Sequence, residues 1–144
     1  MDLLSPSIDF AILCDAVQAA GGKLHLVGGG WDNLFVAKFP ARHHTLGIGL
    51  RVRIPWGSLD ENVQIHVDLI DEDGQSILPA GPLRHRIRAR RNPALEEGSD
   101  VGVVRAFTFN NLEFPKAGAY AFVLTIADSV HRLGFNVRPR PSSR

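Results

Sequence analysis

The stretch LRHRIRARR, Leu83 to Arg91, sets four guanidinium groups at a spacing of two: Arg84, Arg86, Arg88 and Arg90. In an extended strand successive side chains point to opposite faces. These four therefore project together, and Leu83, His85, Ile87 and Ala89 project the other way. Guanidinium is planar, permanently charged and shaped for carboxylate or phosphate, so the row suits an acidic protein surface or a nucleic-acid backbone. Arg51 and Arg53 occupy the polar face of a second strand, and if the two strands share a sheet, six guanidinium groups form one basic field. Two structural uses compete with docking. A charged row deters edge-to-edge strand pairing, and Asp68, Glu96, Glu97 and Asp100 nearly match the arginines in number and can neutralise them. The row lacks interleaved aromatics for base stacking. That favours a protein partner, a second copy of the chain included; nucleic acid is disfavoured but stays open.

A second constellation is GGGWD: Gly28, Gly29, Gly30, Trp31 and Asp32. A phosphate-binding loop needs GxxxxGK[ST] ahead of a helix, and a dinucleotide loop needs GxGxxG. Here the glycines precede a β-prone run, WDNLFVA, no lysine-serine pair follows, and position 33 is Asn33. Glycine inside a strand more often marks a bulge or sharp bend. KLHLV and WDNLFVA are then read as two halves of one long strand, kinked so that each joins a different sheet. Trp31 plugs the end of the core, and Asp32 caps a neighbouring turn. Loops at this end keep a second reading open, a small-ligand or metal site beside Gly28 to Asp32.

Other chemistry finds little support. The six histidines show no HExxH or related spacing, and His66 and His85 belong to opposite faces of their strands. An EF-hand placed on DEDG runs from Leu69 to Ala80, and neither can supply a carboxylate. Cys14, the single cysteine, lies in an apolar segment and reads as buried and inert. No serine sits in GxSxG, and Glu96 and Glu97 share one solvent loop. The expectation is a non-catalytic protein without a cofactor or resident metal.

The elements that position these residues are strands. TLGIGLRVRIP puts Leu46, Ile48, Leu50, Val52 and Ile54 on one face, with Gly47, Gly49, Arg51 and Arg53 on the other. NVQIHVDLI, AYAFVLTIA and RLGFNV repeat the alternation, as antiparallel strands with one wet face do. VGVVRAFTF is apolar on both faces, which places it centrally in its sheet. AILCDAVQAA fits either period and is read as a strand, with QAAGGK as the hairpin loop after it. DEDG joins two strands in a tight hairpin through Gly74. PKAG and DSVH mark further turns, and NPALEEGSD is a longer acidic loop.

The 144 residues and 44% hydrophobic content bound one globular domain with a sizeable core. A net charge of +1 gives no general pull toward nucleic acid, although thirteen of sixteen basic residues are arginine. MDLLSPSIDF lacks the positive start of a secretory signal, and no apolar run approaches a membrane span, so a cytoplasmic location is expected. The whole is an all-β chain: a single antiparallel β-sandwich of about seven to nine strands over residues 1–137. A short disordered tail is expected over 138–144.

FTFNNLEFPKAGAYAFVLTIADSVHRLGFNV resembles the closing hairpins of immunoglobulin-like domains. That resemblance implies a tyrosine corner at Tyr120, without the disulfide of antibody domains. LCDAVQAAGGKLHLVGGGWDNL, with the later LIDEDG, resembles a group of uncharacterised bacterial, mostly actinobacterial, proteins classed as a domain of unknown function; GGGWD is its most specific piece. This implies a small all-β domain and carries over no activity or catalytic residue.

Overall fold

The structure, a computed structural model, describes residues 4–141. It is all-β. In chain order the strands are β1 (Ser7–Cys14), β2 (Ala16–Ala20), β3 (Lys23–Val27), β4 (Asn33–Val36) and β5 (Ala41–Ile54). There follow β6 (Val63–Ile70), β7 (Leu83–Ile87), β8 (Val101–Phe114), β9 (Gly118–Ile126) and β10 (Ser129–Pro139). They form a three-stranded sheet ordered β1-β5-β8, a five-stranded sheet ordered β4-β10-β9-β6-β7, and a separate β2-β3 hairpin. No helix among the described residues is long and apolar enough to cross a membrane.

Alternation does what the sequence implies. Leu46, Ile48, Leu50, Val52 and Ile54 of β5 are fully buried, as are Ile65, Val67 and Leu69 of β6 and Phe122, Leu124 and Ile126 of β9. These rows belong to one hydrophobic cluster shared by the two sheets. Aromatic rings bind the sheets together. Phe109 of β8 lies 5.2 Å from Phe122 of β9, and Phe114 of β8 meets Tyr120 of β9 edge-on at 5.0 Å. The Tyr120 hydroxyl donates to the backbone oxygen of Lys116 at 2.6 Å, the corner expected of that residue. In β5 and β8 the inward row shifts by one position, from buried Ala41 and half-buried His43 to Leu46 onward. The shift lies beside Asn111, whose φ is 56°.

Every strand pair is antiparallel except β4 with β10, which is parallel, so the sheet is mixed where a purely antiparallel one was expected. The cause is the GGG kink. β3 ends in the hairpin, Gly28 and Gly30 take φ of +66° and +87°, and the chain re-enters as β4 against the other sheet. The two halves thus join different sheets, as read from the sequence. The kink is pinned by the Gly30 amide, which donates to the Leu13 oxygen at 2.9 Å, and by the Asp15 amide, which donates to the oxygens of Val27 and Gly28. Trp31 follows it and meets Phe135 edge-on at 5.8 Å.

Four expectations are corrected. The Ala11–Ala20 segment is extended, but it is broken at Asp15 into β1 and β2. β8 lies at the edge of its sheet, not the centre, and is apolar on its second face because the β2-β3 hairpin is laid over the outside of that sheet. DEDG makes its turn, with the Gly74 amide donating to the Asp71 oxygen, but the return is only a bridge between Ile70 and Ser76 before the chain leaves for β7. Pairing also reaches into the expected tail. Arg138 and Pro139 belong to β10, and the Arg140 amide donates to the Val36 oxygen at 2.8 Å. Residues 142–144 of that tail lie outside the described residues.

Candidate functional site

The arginine row begins on β7, the edge strand of the five-stranded sheet, which holds Arg84 and Arg86. β7 pairs with β6 so that Arg86 faces Gln64, His85 faces Ile65 and Arg84 faces His66. Because Ile65 and Ile87 are buried, His85 is turned inward, and Arg84, Arg86 and His66 share the outer face. Strand pairing stops at Ile87, yet the alternation persists: Ala89 is buried, while Arg88 and Arg90 are exposed. The Asp60 amide holds this extension by donating to the Ala89 oxygen at 2.7 Å, and the Arg91 guanidinium stacks 4.6 Å from the Trp56 ring. Among the described residues no carboxylate lies within ion-pair distance of Arg84, Arg86, Arg88 or Arg90.

The six-membered field does not form. Arg51 and Arg53 are on β5, in the other sheet, and both are engaged there. Arg51 pairs with Asp9. Arg53 donates to Asp100 Oδ2 at 2.9 Å, to Ser7 Oγ at 3.2 Å and to the Ser5 oxygen at 2.9 Å. Asp100 thus acts as a neutralising acid, though on β5 and not on β7. Asp68 accepts from Ser76 Oγ at 2.6 Å and makes no ion pair with an arginine among the described residues. Four guanidinium groups, Arg84, Arg86, Arg88 and Arg90, remain in the row without an ion pair among the described residues.

His85 closes the gap between the edges of β7 and β8. Its ring meets Phe107 edge-on at 5.4 Å, and its Nε2 accepts from Arg105 Nε at 3.3 Å. Burial pushes its pKa below the ordinary 6.5, and the Arg105 charge pushes the same way. His43 is also lowered, chiefly by burial. Both imidazoles take up a proton less readily folded than unfolded, so acid favours the unfolded chain. We expect stability to be complete above the ordinary histidine value and to fall as pH drops below it. Urea melts at neutral pH and at about one unit below the ordinary histidine value read this directly. His85→Gln keeps an acceptor for Arg105 and should flatten the slope; a slope unchanged by the substitution assigns the acid loss elsewhere.

On the same outer face, away from β7, lies a groove of about 490 Å³. Its floor is Ala119 and Ala121 of β9 and Gly134 of β10. Small side chains there leave the sheet surface bare, while Asp71, Glu72 and Asp32 rise around it, with Arg132 also on its wall. Glu72 Oε1 accepts from the Ala119 amide at 2.7 Å, and Asp71 Oδ1 accepts from the amides of Asp73 and Gln75, so both acids are fixed. Of the GGGWD residues only Asp32 reaches this groove; Gly28 to Trp31 serve the kink and the core. Asp32 was expected to cap a neighbouring turn; its backbone oxygen instead accepts from the Asn136 amide of strand β10 at 2.8 Å. The acidic groove was missed because three distant segments build it and its floor is made of unremarked alanines and a glycine.

Elsewhere chemistry is muted. Cys14 is fully buried, and burial, aided by Asp15, pushes its thiol up. Among the described residues no three His, Cys, Asp or Glu side chains are grouped to hold a metal ion. No curated protein matches the chain. The model of a family of unknown function (DUF6941) does match it, over residues 9–138, and the chain belongs to that family.

Proposed function

We propose that the protein is a non-catalytic interaction module that docks an acidic partner on the row Arg84, Arg86, Arg88 and Arg90. One observation carries this reading. Four exposed guanidinium groups stand on an edge strand and its extension with no carboxylate among the described residues paired to them, although the chain carries fifteen acidic residues and uses two of them to pair Arg51 and Arg53. A charged row also guards an edge strand against further pairing, and because these four guanidinium groups are left without a paired acid, their planar forks stay open to a carboxylate partner.

The scaffold fits an immunoglobulin-like sandwich. Strands β1, β5 and β8 correspond to A, B and E, and β6, β9 and β10 to C, F and G, with Tyr120 as the corner at the start of F. β7 then takes the place of an added strand beside C. In this reading β2 and β3 are an inserted hairpin.

The test is charge reversal. Arg86→Glu with Arg88→Glu lies on exposed positions and should leave the melting temperature within about 2 °C, as surface changes do. Affinity capture from the native host, read by mass spectrometry, should lose its partner altogether. Equal capture by the variant and the wild type would remove the arginine row from consideration. If the captured partner were nucleic acid, binding would weaken with salt at a log-log slope of about −0.9 per phosphate neutralised on duplex DNA.

A further inference from the structure

We infer that the outer face of the five-stranded sheet is a self-association surface, on which the arginine corner of one copy sits over the acidic groove of a second. This rests on the docking role of the arginine row and names its partner as the chain itself.

Register places both features on one face. Arg84 lies level with His66, Thr125 and Val130; Asp68 with Val123 and Arg132; Ile70 with Ala121 and Gly134; Ala119 with Asn136 and Asn33. Arg84 and Arg86 therefore occupy the β7 corner. Asp32, which immediately precedes β4, occupies the corner diagonally opposite, with Asp71 and Glu72 beside it across the groove. Four strand spacings and some five residues along the strands separate the corners by about 25 Å. Between them the face carries Thr125, Val123, Ala121 and Gly134, with Val130 61% exposed, and the opposite charges of Asp68 and Arg132 on either side of Val123.

A twofold axis lying in this face, and crossing the diagonal near Val123, exchanges the two corners. Each dimer then makes the basic-to-acidic contact twice, as an isologous interface requires. The face measures about 20 by 27 Å, or about 1,100 Å² for both copies, at the small end of specific interfaces. With a net charge of only +1, two copies meet without bulk repulsion, so the local complementarity decides the encounter. An acidic surface with the right spacing is thus already present on every molecule.

Sedimentation velocity over about 1 to 200 µM, the range suited to so small an interface, tests the inference. The wild type should dimerise, and the dimer should weaken at least tenfold between low and high salt. Arg84→Glu with Arg86→Glu should be monomeric, since its new acids face Asp32. Asp32→Arg should be monomeric for the opposite reason. Mixed in equal amounts, the two variants should form a heterodimer. Circular dichroism confirms their folds, and Arg84→Gln with Arg86→Gln gives a milder loss should either reversal misfold. A wild type that stays monomeric, or a dimer indifferent to both reversals, overturns self-association. If that monomer still captures another protein through its arginines, the docking row stands with a different partner; if it captures none, both readings fall.

Discussion

Phe135→Ala is expected to cost about 3–5 kcal/mol, a large share of the stability of a single domain. For a chain of this length that lowers the melting temperature by about 10–20 °C. The reason lies in what surrounds the ring. Phe135 stacks on Tyr120 and Phe122 at 6.1 and 5.9 Å, and meets Phe114 and Trp31 edge-on at 5.9 and 5.8 Å. Those neighbours come from both sheets and from the segment after the glycine kink, so truncation opens a cavity where three parts of the molecule join. Aromatic partners cannot close it, because flat rings held by strands on two sides have little freedom to shift. Denaturant unfolding gives the energy, and emission measured in a Trp56→Phe background gives the place: Trp31, then the sole tryptophan, should move to longer wavelength in the folded variant. A loss under about 1 kcal/mol would mean that the cluster collapses around the gap and is not the centre of the core.

Much of this core is legible in the sequence, because a period of two announces which face of a strand is apolar. The buried rows of β5, β6 and β9 are those read from TLGIGLRVRIP, NVQIHVDLI and AYAFVLTIA. The same period does not say what covers the face. VGVVRAFTF was expected at the centre of a sheet because both faces are apolar, yet β8 is an edge strand with a hairpin on its outside. Covering by a neighbouring strand pair and burial within a sheet leave the same mark on sequence. Which strands share a sheet is likewise a non-local fact. Arg51 and Arg84 carry identical local signals, and only topology sends one to an acid on β1 and leaves the other open.

The candidate surface divides in the same way. The row Arg84 to Arg90 is periodic and was visible. The acidic groove is not periodic. Asp32 and the Asp71-Glu72 pair stand in two segments distant in sequence, and their convergence depends on the parallel pairing of β4 with β10, a consequence of the Gly28–Gly30 bend. Kinked glycines were identified as structural, and that role is what delivers Asp32 to the groove.

The hairpin's hold on β5 supplies the second large effect, and Gly47→Val reads it. A Cβ at Gly47 would lie 2.8 Å from Val17 Cγ1, closer than such atoms approach, and 3.0 Å from the Cys14 sulfur, tight enough that one of the two must give. Valine at position 17 is stiff about χ1 and the sulfur is fixed on a fully buried strand end, so the strain must lift the hairpin. Against this, any side chain in place of a strand glycine recovers about 0.5–1 kcal/mol of backbone entropy. Overpacking at a fixed contact costs about 1–3 kcal/mol and more where two methyls are added, so the net sign is destabilising. Gly49 is the control: its Cβ would meet Val17 and Leu24 at 3.3 and 3.4 Å, and Gly49→Ala should be near neutral. Hydrogen exchange should show the amides of β2 and β3 losing protection in Gly47→Val while those of β6 and β9 keep it. Pairing Gly47→Ala with Val17→Ala removes the methyl that is struck, and the double variant should recover most of the loss seen in Gly47→Ala alone, a coupling that only direct contact produces. Should the two substitutions simply add, the hairpin is not seated on these glycines, and the apolar outer face of β8 needs another cover.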